Sequence, residues 1–240
     1  MKVLLALLQI AAVSSSLLSL RSVLAQEQAA APIFQEGDTW QFKVTDKGFE
    51  RSLEPSSVST RTHEITYTNG DFQVYVLGEE RKQPVGSDTR KNLLLSLVGK
   101  AEGEALKAYL QFPLFVGKEW RIEYNMAGAR RRLMQGGASV TKIEDISTQA
   151  GNFRTFKIER GENGMIALSP IKGLTRWFFT STYYYSPETQ SVAKLHWELS
   201  GNLVTPGERD IELIRFSHTS RSTKEEAVVE RSMEPMTDDR

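Results

Sequence analysis

The sequence predicts an all-β protein: an antiparallel, strongly curved sheet, β-sandwich or half-barrel of roughly ten strands, built from two related β-meanders. Three stretches carry that prediction. In Val116-Gly117-Lys118-Glu119-Trp120-Arg121-Ile122-Glu123-Tyr124 a glycine turns the chain, and Trp120, Ile122 and Tyr124 then alternate with charged residues, the period-two pattern of a strand with one dry face. Glu36-Gly37-Asp38-Thr39-Trp40-Gln41-Phe42-Lys43-Val44 repeats that pattern in phase, 80 residues earlier. Thr68-Asn69-Gly70-Asp71 joins two β-patterned runs through the dipeptide favoured in a type I′ hairpin, whose central residues both need positive φ.

The chain begins like an export signal. Lys2 precedes the apolar stretch Val3 to Val13, and Val23-Leu24-Ala25 ends in small-x-small fashion. Cleavage after Ala25 is expected, with a cut after Ser14 the competing site. An uncleaved anchor is the other reading, although Val3 to Leu20 barely spans a bilayer and contains Gln9 and serines. Removing residues 1–25 leaves a single β domain over 26–217, with halves at about 35–100 and 115–217, and a disordered polar tail over 218–240.

Charge and composition exclude several roles. The 30 basic and 30 acidic residues cancel, so the chain has no net field with which to gather nucleic acid. There is no cysteine, which excludes disulfides, thiol chemistry and thiolate metal sites. No apolar run beyond the leader spans a membrane, so the mature chain is not expected to be an integral membrane protein.

The remaining elements follow from local pattern. Lys47 to Pro55 is a polar loop, Val58 to Thr68 and Asp71 to Leu77 form the Asn-Gly hairpin, and Gly78 to Asp88 is a connection. Asn92 to Val98 is a continuous apolar run that fits a buried strand or a short helix, and Glu104 to Leu110 shares the ambiguity. Phe112-Pro113 favours an extended entry into the second Trp strand. After a turn at Ala127-Gly128, Arg130-Arg131-Arg132 opens a returning strand that Gly136-Gly137 interrupts. Val140 to Ile146 and Asn152 to Arg160 form a further hairpin-like pair, Gly161 to Gly173 is a glycine-punctuated loop, and Arg176 to Tyr185 pairs with Gln190 to Ser200. That last hairpin turns at Ser186-Pro187-Glu188-Thr189, with Pro187 presetting φ for a type I turn. Asp210 to Phe216 is the final strand, with Arg215 or a slipped Phe216 completing the dry face after Ile211 and Leu213. Trp40 to Phe72 spans 32 residues and Trp120 to Phe153 spans 33, the spacing that suggests an imperfect duplication with Gly37, Trp40, Gly117 and Trp120 as structural landmarks.

No complete catalytic or ligand-binding motif is present, and neither a metal nor a cofactor is expected. His63, His196 and His218 lack the neighbouring ligands of a metal site. Arg130 to Arg132, with Arg130 and Arg132 as candidate ligand contacts, reads either as a seat for a phosphate or carboxylate or as a charged edge strand protected from aggregation. The aromatic cluster is more unusual. Alternation puts Trp177, Phe179, Tyr183 and Tyr185 on one face and Phe178 and Tyr184 on the other. A buried aromatic of this size is worth about 4 to 6 kcal/mol by area, so one face is core. The other face either packs under the Gly161 to Gly173 loop or lines a groove. The candidate ligand-binding set is therefore Trp177, Phe179, Tyr183, Tyr184 and Tyr185, with the two arginines.

Gly37-Asp38-x-Trp40, Phe112-Pro113-Leu114-x-Val116-Gly117-Lys118-x-Trp120, Gly151-x-Phe153-x-x-Phe156-x-Ile158 and Tyr184-Tyr185-Ser186-Pro187-Glu188 with Lys194 together resemble the pattern of a family of exported bacterial β-rich proteins of unknown function. The resemblance covers most of residues 35–200 and implies an all-β envelope protein. It supplies no catalytic residues, because the family has none assigned. Two functions are expected: a non-catalytic exported cell-envelope module, periplasmic or extracellular, that binds an apolar or amphipathic ligand or a protein partner (a lipid, a glycan or an envelope protein), and a periplasmic hydrolase whose site is unrecognised. The hydrolase requires His63 or His196 to reach both a serine and a carboxylate in a cleft.

Overall fold

In the computed structural model, which describes residues 26–48, 58–78, 82–84, 89–99, 109–126, 132–169, 173–201 and 206–219, Asn69 and Gly70 take φ of 52° and 75°. They close the predicted hairpin between β3 (Val58–Thr68) and β4 (Asp71–Leu77), with Thr68 opposite Asp71. β2 (Thr39–Lys47) precedes this pair and β5 (Lys82–Pro84) follows it. The second run of strands is β7 (Glu119–Met126), β8 (Arg132–Thr148), β9 (Gly151–Ser169), β10 (Gly173–Ser186), β11 (Ser191–Gly201) and β12 (Gly207–Ser217). All belong to one open antiparallel sheet of ten strands in the order β5-β4-β3-β2-β12-β11-β10-β9-β8-β7. The two runs meet where the last strand pairs with the first, Ile211 opposite Val44 and Phe216 opposite Trp40.

This order forces the connection between the runs to travel from one sheet edge to the other. It crosses the inner face as α1 (Thr89–Leu97) and β6 (Leu114–Phe115), the latter paired with β1 (Gln28–Ala29). The apolar run at 92–98 is therefore helical. Leu94, Leu95, Leu97 and Val98 are all buried, and only a helix places residues at i, i+1, i+3 and i+4 on one side. Gly99 ends it at φ 74°, the left-handed position that suits a glycine after a helix. Around this plug the sheet contributes Trp40, Phe42, Ile65, Ile122, Ile158, Tyr183, Tyr185, Leu195 and Leu213 to one continuous core. The sheet curls far enough for the β8–β9 turn to reach β12, where Gln149 N donates to Glu212 Oε1 (2.9 Å) and the rings of Phe153 and Phe216 lie 5.8 Å apart.

Three sequence expectations are corrected. Gly161 to Gly173 is not a loop, since β9 runs on to Ser169 and β10 begins at Gly173. The glycines make room across the sheet: Gly164 lies between Met134 and Trp177. Gly136-Gly137 does not interrupt β8 either. A Cβ on Gly136 would lie 2.0 Å from the carbonyl oxygen of Gly161 and 2.8 Å from Glu162 Cα, so glycine there lets the two strands approach. Finally, the polar tail does not begin at residue 218. His218 packs against Trp40 and Phe216 (ring centroids 5.7 and 5.4 Å), and Thr219 N donates to Asp38 Oδ1 (2.8 Å).

Gly37 and Gly117 take φ of 89° and 88° and make the same corner. Gly37 N donates to Tyr67 O and Tyr67 N to Asp38 O, as Gly117 N donates to Val140 O and Val140 N to Lys118 O. Beyond the corner the registers diverge. Trp40 faces Ile65, four residues before the turn residue Asn69, whereas Trp120 faces Ala138, eleven before the turn residue Gln149. The matched 32 and 33 residue spacings thus divide differently between the two runs. In the final strand a bulge between Leu213 and Arg215 makes the slipped Phe216 the residue that joins the core. The leader 1–25, the loop at 49–57, most of the 78–88 connection, 104–108, the turn at 127–131 and the tail from 220 lie outside the described residues.

Candidate functional site

β10 separates two environments. Its residues 177, 179, 181, 183 and 185 face inward: Trp177, Tyr183 and Tyr185 are buried and Phe179 is half-buried. Tyr183 and Tyr185 belong to the main core. Trp177 forms a small second core with Met134, against which Phe179 and Leu199 pack. Phe179 stacks on Trp197 with centroids 5.0 Å apart and planes at 15°. The indole Nε1 of Trp177 is buried and has no hydrogen-bond partner among the described residues. Between the two cores runs a buried polar belt. Arg160 pairs with Glu162, donates to the Tyr183 hydroxyl at 3.1 Å and lies 3.8 Å over the Tyr109 ring. Ser181 also donates to that hydroxyl, at 3.0 Å. Burial pushes the Tyr183 pKa up to about 12 against the opposing pull of Arg160, and burial alone raises that of Tyr185.

The remaining predicted contacts are scattered. Tyr184 faces outward, half-buried, between Lys157 and Lys194. Arg132 opens β8, two strands away from the β10 that carries Tyr184, and Arg130 lies outside the described residues. Pro187 sits exposed in the β10–β11 turn, where Gln190 takes φ 51° and its N–H donates to Pro187 O (3.3 Å).

The outward face holds an open groove of about 810 Å³ across β7 to β11. Cross-strand register builds it from two rows. One runs Arg121, Gly137, Gly161, Thr180, Glu198, and the other Glu119, Ser139, Glu159, Thr182, His196. Small side chains form the floor, and long charged ones on β7 and β11 form the walls. From β7 to β11 is four strand spacings, about 19 Å. Sequence reasoning missed this site because its residues occupy the polar phase of each strand and read as an ordinary solvated surface. The available signal was a glycine at a mid-strand outward position in each of two adjacent strands.

His196 decides what chemistry the groove can perform. Its Nδ1 lies 2.7 Å from Asp210 Oδ1 and its Nε2 2.9 Å from Glu198 Oε1. Hydrogen bonds to Glu198 first and Asp210 second raise its pKa above the usual histidine value. Protonated, the imidazole donates from both nitrogens, and the hydrogen-bond partners of both are carboxylates rather than a serine. His63, the other candidate, is 2% exposed on the inner face, beside a crevice of about 10 Å³ that has no room for a substrate. Among the described residues no three His, Asp or Glu side chains are grouped to hold a metal ion, and no helix is long and apolar enough to cross a membrane.

The chain matches no known family model and no curated protein. Three solved structures are similar to it. A protein of Parabacteroides distasonis named as a lipoprotein is 13% identical with a TM-score of 0.36, over 80% of this chain and all of its own. A protein of Bacteroides fragilis, named as exported and YmcC-like in fold, is 13% identical with a TM-score of 0.30, over 79% of this chain and 99% of its own. The hypothetical lipoprotein YmcC of Escherichia coli is 9% identical with a TM-score of 0.35, over 76% of this chain and 86% of its own. At TM-scores below 0.5 these likenesses carry no inference about how this chain works.

Proposed function

We propose that the chain is a non-catalytic binding module, exported to the cell envelope through the leader 1–25, whose ligand lies in the outward groove across β7 to β11. The observation that carries the reading is the groove itself, floored by the small residues Gly137, Gly161, Thr180 and Thr182, whose imidazole, His196, faces the carboxylates of Glu198 and Asp210 and not a serine. Native mass spectrometry of protein purified from its own envelope, with hydrogen exchange before and after ligand removal, tests the reading. A retained ligand that protects amides of β8 to β10 is expected. A ligand-free protein whose β8 to β10 amides are unchanged by envelope extract overturns it. Amino-terminal sequencing tests export separately: Gln26 is expected, and recovery of Met1 in a membrane pellet sinks it.

A second reading places an apolar or amphipathic ligand on the inward shelf of Trp177, Phe179, Trp197 and Leu199. The buried indole N–H of Trp177, which has no acceptor among the described residues, favours it. Protection confined to this shelf, with the outward groove unaffected, selects this reading over the first.

A further inference from the structure

The fold explains some of its strand glycines and not others. Gly136 and Gly201 stand where a Cβ would meet a backbone oxygen at 2.0 and 2.6 Å, so no larger residue fits. Gly137 and Gly161, paired across β8 and β9 on the outward face, are different. Neither has positive φ; a Cβ on Gly161 would meet nothing within 4 Å, and one on Gly137 only the Trp120 carbonyl oxygen at 3.5 Å. Glycine weakens a strand interior, and where no neighbour or backbone angle requires it, it marks a place where something from outside approaches the backbone closely. The pair forms a bare patch in the floor of the groove.

The chemistry around the patch narrows what approaches. On the next cross-strand row, Phe178 is 43% exposed, an unusual state for a phenylalanine. It lies in register with Asn163 on β9, which in turn faces Gln135 on β8, and both amides are exposed. On the opposite side of the patch Ser139 and Thr182 present hydroxyls. Most of the charged side chains are answered by neighbours, Arg121 by Glu123 (2.9 Å), Glu159 by Lys157 (2.6 Å), and His196 by Glu198 and Asp210, and the further wall charge, Glu119, is negative. A phosphate or other anion therefore finds no spare counter-charge among the described residues of the groove. What remains is an exposed aromatic face beside a set of donors and acceptors of both kinds. Those are the requirements of a ring with an apolar C–H face and a rim of hydroxyls.

We infer that the outward groove binds an uncharged glycan chain, one sugar ring stacked on Phe178 and a neighbouring unit lying flat on the Gly137–Gly161 backbone. The inference rests on the reading of the groove as the binding surface, and names its ligand class. The test is calorimetric titration of the mature chain with cellohexaose, maltohexaose and chitohexaose, with a sulfated polysaccharide as the charged comparison. At least one neutral oligosaccharide should bind, and Phe178→Ala and Gly161→Val should each weaken it tenfold or more while circular dichroism stays native. If the valine variant misfolds, Gly161→Ala, which has open space, replaces it with the same expected direction. Neutral binding that survives both substitutions, or tighter binding of the sulfated chain, overturns the inference. So does a null result with all three oligosaccharides; envelope extract that still protects β8 to β10 then leaves the groove reading standing, and extract that protects nothing removes both.

Discussion

The indole Nε1 of Trp40 donates a 2.7 Å hydrogen bond to the carbonyl of Thr189, tying the first long strand to the turn between β10 and β11, 149 residues further along the chain. Both residues are fully buried, so the carbonyl has no water to turn to. Trp40→Phe keeps most of the packing and orphans that acceptor, which should cost about 1 to 3 kcal/mol. Trp40→Ala should cost about 3 to 5 kcal/mol. Urea unfolding of both variants checks the ordering, and a phenylalanine variant as stable as the parent would show that the bond contributes nothing.

The glycines predict opposite signs. Gly136→Ala drives a methyl group into the Gly161 carbonyl and Glu162 Cα, both backbone, and should destabilise by about 1 to 3 kcal/mol or more. Gly161→Ala meets open space and should be neutral or stabilising by up to about 1 kcal/mol. Thermal melts of the two single variants settle it; similar shifts in both would mean that the close approach of β8 and β9 is not what requires Gly136.

Two of the seven tyrosines should resist alkali. Burial raises the pKa of Tyr183 to about 12 and also raises that of Tyr185. A tyrosine whose folded pKa exceeds its unfolded value of about 10 stabilises the fold fully below that pH and loses the contribution as pH rises through the folded value. Ultraviolet titration should therefore show two phenols ionising last, together with unfolding. Seven phenols titrating together in a folded protein would refute it.

His196 should make stability pH-dependent in the same direction, in a lower pH range. Its pKa is raised by Glu198 and Asp210, so its contribution is complete below about pH 6.5 and fades as pH rises through the folded value. Asp210 also faces Lys47 (3.8 Å), itself paired with Glu208 (3.1 Å), and these exposed groups screen the effect and keep it small. The stability gap between the parent and His196→Gln should be wider at pH 6 than at pH 9 and should shrink in salt. A gap independent of pH would count against the paired imidazolium.

Features governed by near neighbours were legible in the sequence, and features governed by distant ones were not. Asn69-Gly70, the faces of β10 and the two Trp corners each depend on a few adjacent residues. Leu93 to Val98 has no period to read, and its helical state follows from having to cross the inner face, where the sheet offers no edge to pair with. Gly136 and Gly164 look like breaks because the reasons for them lie across the sheet, in Gly161, Met134 and Trp177. The groove suffered most: Thr180, Thr182, His196 and Glu198 become a site only when register sets them beside Gly137 and Gly161.

The pairing of β12 with both β2 and β11 means that the last of the described strands to be made is a middle strand of the finished sheet. A chain emerging from its amino terminus can assemble β2 to β5 as one ribbon and β7 to β11 as another. The backbone edges of β2 and β11 then stay open until residues 207–217 arrive to zip between them. Such an order makes closure a late, long-range event. A chain cut short before Gly207 would present two bare edges to its neighbours, so synthesis that stops a few dozen residues early should yield aggregate rather than a smaller folded protein.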